Sequence, residues 1–206
     1  MPLQKIGIFG GAFNPVHWGH LVVAETALSQ FELDQVLWVT TYHPSHKQIS
    51  NLLEFKHRLT MVQRAIADHP NFTTPAIASK PEEPSYAIST LLELQPLYPL
   101  TEWYWIIGID AFQKLPRWRS SEKVATQCTW LVAPRNHLDA VTVCQQVATQ
   151  LSAHAWPFRW QLLSMPQIEV SSSLIRHYCQ IGRSLRYLVP ESVRAYIAAH
   201  QLYQSS

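Results

Sequence analysis

Two rhythms of apolar and polar positions alternate along the chain. Short apolar runs bounded by Gly or Pro predict strands, and apolar residues three or four apart predict helices. Lys5-Ile6-Gly7-Ile8-Phe9 is the first such run, broken at Gly10-Gly11. Trp18 to Gln30 then reads as a helix, with Leu21, Ala24, Leu28 and Phe31 on one side. Gln35 to Val39 is short and continuously apolar, as expected of a strand buried on both faces. Phe55 to Ala67 carries Leu59, Val62 and Ile66 at helical spacing, and Phe72 to Ala78 reads as extended. Pro75 confines that last segment to an edge or an interrupted strand. Tyr86 to Leu94 predicts a helix, and Glu102 to Ile107, ended by Gly108, is the clearest strand.

The second half continues in the same way. Thr129 to Ala133 predicts a strand stopped at Pro134, Leu138 to Leu151 a helix, and Phe158 to Leu163 a last strand. Two further helices are expected near Leu174–Ile181 and Glu191–Gln201, separated by Gly182 and Pro190. Residues 41–50 and 79–86 are the candidates for mobile loops. Strands alternating with helices predict an α/β fold: one Rossmann-like domain over residues 1–206. Its sheet should be mostly parallel with helices on both faces, and a small helical part should begin near residue 170.

Composition narrows the partners. Charged residues are only 15% of the chain, against about 25% in an average soluble domain. The net charge is +2, too balanced for a polybasic nucleic-acid or membrane binder. No apolar run approaches the roughly 20 residues that span a bilayer, and no secretory leader is recognisable. Cys128, Cys144 and Cys179 are odd in number, widely spaced and without a Cys-x-x-Cys pair, so they read as reduced thiols of a cytoplasmic protein. Self-association is left open.

The chemistry concentrates where the first strand meets the first helix, in Gly10-Gly11-Ala12-Phe13-Asn14-Pro15-Val16-His17-Trp18-Gly19-His20. In open parallel sheets ligands bind outside the carboxyl ends of strands, and backbone N–H groups at such a turn suit phosphate oxygens. Neither a Walker loop nor a Gly-x-Gly-x-x-Gly fingerprint is present. His17 and His20, three apart at a helix start, project from one face, and imidazoles can donate to phosphate without carrying full charge. A metal-binding His pair and two unrelated surface histidines are the alternatives, and no acid or Cys stands nearby to complete a metal site. A second phosphate-like element is Ser171-Ser172-Ser173-Leu174-Ile175-Arg176, where a Ser can cap the helix that Gly182 stops.

The first segment resembles the Gly-x-Phe-Asp/Asn-Pro-x-His-x-Gly-His signature of the nucleotidyltransferase superfamily, which transfers nucleotidyl groups from ATP or CTP. The second resembles its Ile-Ser-Ser-Thr-x-Ile/Val-Arg element, with Val170 and Ser173 in place of Ile and Thr. Further elements resemble the bacterial nicotinate-nucleotide adenylyltransferases. They are Pro44-Ser45-His46-Lys47, Ile107-Gly108-Ile109-Asp110, Leu115-Pro116-Arg117-Trp118, Val132-Ala133-Pro134-Arg135 and Leu188-Val189-Pro190 through Tyr196-Ile197. On local grounds Lys47 could equally be solvated, Asp110 a helix N-cap and Trp118 a packing aromatic. The segment Ser85-Tyr86-Ala87-Ile88-Ser89-Thr90 departs from that family's Ser-Tyr-Thr-x-Asp-Thr by lacking the acid and the first Thr.

The resemblance implies a transfer of the adenylyl group from ATP to nicotinate mononucleotide, giving deamido-NAD and pyrophosphate in NAD biosynthesis. It implies catalytic roles for His17, His20, Lys47 and Arg176. ATP would meet Gly10, Gly11, Ala12, Phe13, Gly108, Asp110, Ser172, Ser173 and Arg176. Nicotinate mononucleotide would meet Lys47, Tyr86, Trp118 and Arg135, with the ring of Trp118 stacked on the pyridine. Mg²⁺ is expected on the ATP phosphates rather than in a protein cage. His43 and His46 acquire no role.

Overall fold

The computed structural model describes residues 3–42, 52–77, 85–135, 139–152 and 157–204. Six strands, β1 (Gln4–Gly11), β2 (Gln35–Thr40), β3 (Phe72–Thr73), β4 (Thr101–Gly108), β5 (Cys128–Ala133) and β6 (Arg159–Leu162), form one sheet. Their order is β3-β2-β1-β4-β5-β6 and every pairing is parallel. The helices are α1 (Trp18–Gln30), α2 (Phe55–Ala65), α3 (Ala87–Leu94), α4 (Ile109–Phe112), α5 (Ser121–Gln127), α6 (Ala140–Ser152), α7 (Ser172–Gln180) and α8 (Glu191–Ala199). The expected Rossmann-like α/β fold is the observed one.

The continuous apolar runs exist because the sheet is covered twice. Phe9, Trp38, Ile106 and Leu131 face a core shared with α1, α2, α7 and α8. Their chain neighbours Ile8, Leu37, Trp105 and Trp130 face a second core built with α3, α4, α5 and α6. Trp38 and Trp130, two of the eight tryptophans in the sequence, are fully buried, one on each side, and serve as packing volume.

Differences from the predicted elements are local. Pairing at β3 lasts only two residues before Pro75, which cannot donate to a ladder. Residues 109–127, unassigned from pattern, hold α4, a 3₁₀ turn at Leu115–Arg117 and α5. Those pieces are too short for a periodicity to develop. The helix expected from Tyr86 begins at Ala87, with Tyr86 as its N-cap, and Leu138 lies outside the described residues.

One polar group inside this frame escaped the sequence pattern. Arg58 on α2 is 1% exposed, and its guanidinium donates to four carbonyls. Nε reaches Leu53 at 2.8 Å, Nη1 reaches Ala12 and Thr41 at 2.7 Å each, and Nη2 reaches Tyr42 at 3.0 Å. It thereby ties together the chain leaving β1 and the chain leaving β2. A buried cation without these acceptors would be costly, and the planar fork satisfies them in a way one ammonium cannot. Arg58→Lys is expected to lower unfolding free energy by about 3 kcal/mol, because carbonyls lose charged donors worth about 1.5–3 kcal/mol each. Urea denaturation monitored by tryptophan fluorescence checks this, and a loss below about 1 kcal/mol would refute the organising role.

Candidate active site

The connection from β1 leads toward β2, and that from β4 leads toward β5, so the sheet order switches between these two neighbouring strands. A crevice at their carboxyl ends is where ligands bind in open parallel sheets. The turn after β1 occupies it. Phe13 has φ +45°, a left-handed conformation that costs a residue with a Cβ about 1–2 kcal/mol. Its buried ring offsets that cost, packed 5.5 Å from Phe9, 5.3 Å from Trp38 and 5.1 Å from His20 between centroids. Gly11 makes room for the turn, since a Cβ there would stand 3.0 Å from the Phe13 ring. The Asn14–Pro15 peptide that follows is cis.

His17 is the N-cap of α1, and its carbonyl accepts the N–H groups of His20 at 2.9 Å and Leu21 at 3.3 Å. The two imidazoles lie 3.7 Å apart and 31° from parallel, on one face as their spacing predicts. The His17 backbone N–H donates to His20 Nδ1 at 3.3 Å. With Nδ1 an acceptor, the neutral His20 ring carries its proton on Nε2, where it can be donated outward. His17 Nδ1 is buried with no hydrogen-bond partner among the described residues. Gly19 permits this stack, for a Cβ there would meet His17 Nδ1 at 3.0 Å.

Both imidazoles are neutral near pH 7. Burial pushes His17 down to about 4, and the Arg135 guanidinium adds to the effect. Burial also holds His20 well below the usual histidine range, followed by the influence of His17 and Arg135. They are therefore donors rather than cations in the ligand-free protein.

Against this turn docks the amino end of α7. Ser171 is the N-cap, its hydroxyl accepting the Leu174 N–H at 3.2 Å. Ser172 Oγ donates to the Pro15 carbonyl at 2.8 Å. Arg176 Nη1 donates to the Asn14 carbonyl at 2.9 Å, and Nη2 donates to Ser173 Oγ at 3.1 Å. The Ser172 hydroxyl thus works in the joint. The backbone N–H groups of Ser172 and Ser173, in the first turn, have no intrahelical acceptor and suit an anion.

Asn14 is the centre of the joint. Its side-chain oxygen accepts the Tyr203 hydroxyl at 2.8 Å and the Leu53 N–H at 3.4 Å. Asp110 lies in the first turn of α4 rather than at its N-cap, which is Gly108. It pairs with Arg135 at 2.6 Å, so a residue expected on the ATP side and one expected on the acceptor side meet directly. A Cβ at Gly108 would have nothing within 4 Å, leaving the end of β4 open to a ligand.

Trp118 is half-buried after the 3₁₀ turn, its ring 6.0 Å from Trp130 and 69° from parallel. Arg119, which motif reading passed over, sets its guanidinium 4.9 Å over the Tyr86 ring and links that ring to the Trp118 segment. Ser85 Oγ accepts the Tyr42 N–H at 3.0 Å, joining the end of β2 to the start of α3. Lys47, His43 and His46 lie outside the described residues, as does most of the two loops at 41–50 and 79–86. Among the described residues no three His, Cys, Asp or Glu side chains converge on a metal-sized space. No helix among them is long and apolar enough to cross a membrane.

The neutral histidines set a pH dependence. Where the folded pKa lies below the unfolded value, the unfolded chain binds more protons, so stability falls as pH drops through that interval. For His17 the window runs from 6.5 down to about 4. Thermal unfolding of the ligand-free protein should lose stability across it, with His17 contributing up to about 1.4 kcal/mol per pH unit. His17→Asn should flatten the profile in that window, and an unchanged slope would contradict the buried neutral ring.

The cytidylyltransferase-like family matches residues 8–178. A Nostoc sp. protein named nicotinate-nucleotide adenylyltransferase is 47% identical over 206 residues, covering 98% of each chain. One of the same name from Lachnoclostridium phytofermentans is 36% identical over 201 residues, covering 98% of this chain and all of its own. Among solved structures, the Plasmodium falciparum nicotinic acid mononucleotide adenylyltransferase superposes with a TM-score of 0.75 over 97% of both chains, at 19% identity, and so shares the fold. With full-length relatives at these identities, the chain belongs to the nicotinate-nucleotide adenylyltransferase family.

Proposed function

We propose that the protein transfers the adenylyl group of ATP to nicotinate mononucleotide, releasing pyrophosphate and forming deamido-NAD in NAD biosynthesis. The observation that carries this reading is the joint between the β1 turn and α7. It sets two sets of anion donors, the histidine pair and a helix amino end with its Arg, against one crevice. The family's nucleotide chemistry needs such a pair of phosphate sites.

The acceptor's phosphate oxygen attacks the α-phosphorus of ATP in line. A P–O bond forms to that oxygen, and the bond to the β-phosphate oxygen breaks, its electron pair leaving with pyrophosphate. The attacking oxygen is already anionic near neutral pH, so no protein base or nucleophile is required. Catalysis then rests on positioning and on donors placed where charge shifts. The His20 Nε2–H serves as such a donor, and a triphosphate beside both rings raises their proton affinity from the depressed ligand-free values. Two N–H groups of Arg176 brace Asn14 and Ser173, and the others are assigned to the outer phosphates with the first-turn amides of α7. Gly10, Gly11, Ala12 and Phe13 bring backbone close to the nucleotide, and Gly108 and Asp110 face its ribose. Lys47 is assigned to the reacting phosphates through its motif.

ATP would enter as its magnesium complex, and Mg²⁺ would neutralise phosphate charge without a dedicated protein cage. On the acceptor side Trp118 is assigned as the stacking surface, with Tyr86 and Arg135 assigned as further contacts to nicotinate mononucleotide. The Arg119 guanidinium over Tyr86 adds positive charge there and favours the carboxylate of nicotinate over the neutral amide.

Two measurements test the reading. His20→Ala and His17→Ala should each lower kcat by about 10²–10³, the usual cost of one preorganised donor, and near-wild-type turnover in both would refute the phosphate roles. Initial rates of pyrophosphate release with the two pyridine mononucleotides should give nicotinate the higher kcat/KM by at least about 10², since an unmatched polar group is rejected strongly. A preference for the amide would overturn the acceptor assignment.

A further inference from the structure

Beyond α8 the chain turns back toward the sheet. Gln201 and Tyr203 both adopt left-handed backbone, at φ +49° and +64°, flanking Leu202. Two such residues in so short a stretch are costly unless the surroundings hold them, and they mark a segment whose shape is specified. Leu202 anchors it by burying its side chain in the core shared by α1, α2, α7 and α8. Its N–H donates to the Ile197 carbonyl at 3.0 Å. These turns bring the Tyr203 hydroxyl to Asn14, where it donates to Oδ1 at 2.8 Å.

Among the described residues Asn14 is held from three separate segments. Its carbonyl takes Arg176 of α7, and its side-chain oxygen takes Tyr203 and the Leu53 N–H that precedes α2. The residue before it is the strained Phe13, whose ring packs on His20. The residue after it, Pro15, receives Ser172. Any rotation of Asn14 is therefore felt by the histidine pair, by the first turn of α7 and by Arg176 together. Burial raises the Tyr203 pKa above the usual tyrosine value, so the hydroxyl keeps its proton and remains a donor.

We infer that Tyr203 is a positioning residue for the adenylyl transfer proposed above: through Asn14 it fixes the turn on which both phosphate-binding elements are aligned. It touches neither substrate nor the reacting atoms. Its effect is to hold donors within the fraction of an ångström that in-line transfer demands, where displacement by about 1 Å can cost 10² in rate. The inference rests on the adenylyl-transfer reading.

The test is steady-state kinetics of Tyr203→Phe beside Leu33→Ala in the full chain, with thermal unfolding of each. Tyr203→Phe keeps the ring and removes only the hydroxyl. It should lower kcat about tenfold, leave the KM for ATP within about twofold, and lower Tm by only a few degrees. Leu33→Ala removes packing from the same core at the amino end of β2, away from Asn14 and the segment that carries Tyr203. It should lower Tm further while keeping kcat within about twofold at a temperature where it is folded. Wild-type kcat in Tyr203→Phe overturns the inference, as does a loss of activity that tracks Tm equally in both variants. Absence of pyrophosphate release from the wild type would instead overturn the adenylyl-transfer reading itself.

Discussion

Two hydrogen bonds, from Ser172 to the Pro15 carbonyl and from Arg176 to the Asn14 carbonyl, join segments 157 and 162 residues apart in sequence. The histidine pair and the first turn of α7, both assigned to phosphate, are brought to one crevice by that joint. Without it the β1 turn would offer histidines and glycines to solvent, and α7 would be an ordinary amphipathic helix. Both elements leave the sheet on the same side, and Ile175, fully buried, seats α7 in the core that also receives Val16 and Phe13. The apolar contact supplies the adhesion, and the two polar contacts set the register.

The proposed phosphate site carries little net charge of its own. Burial keeps the histidines neutral, Arg176 is partly engaged by the Asn14 carbonyl and the Ser173 hydroxyl, and Arg135 is paired with Asp110. Donors of this kind are oriented before a nucleotide arrives. Oriented neutral groups in a partly dry crevice stabilise shifting charge without the reorganisation that water would require. The low charged fraction of the chain is consistent with this economy of charge.

The fold was legible because its strands are short, continuously apolar and separated by helices of ordinary length. The segment 109–127 was not, since α4 and α5 are too short to display a period. The ATP-side turn was legible as a motif, for the chemistry of Phe13 to His20 and Ser171 to Arg176 is contiguous in each segment. What joins the segments was not. Arg58 looked like one polar position of an amphipathic helix, and nothing local marks it as fully buried. Tyr203 lies in a stretch without motif, and only the left-handed turns around Leu202 bring it to Asn14. Long-range polar contacts leave no local pattern, because their partners are chosen by the fold. The pairing of Asp110 with Arg135 is of the same kind: each was named, and their meeting was not foreseeable from either motif.

The most direct measurement is a crystal structure of the protein with magnesium and a non-hydrolysable ATP analogue. The account predicts the triphosphate lying across the joint. One phosphate oxygen should be within hydrogen-bond distance of His20 Nε2, and another should meet the first-turn N–H groups of Ser172 or Ser173. Triphosphate density away from both the β1 turn and the amino end of α7 would contradict it.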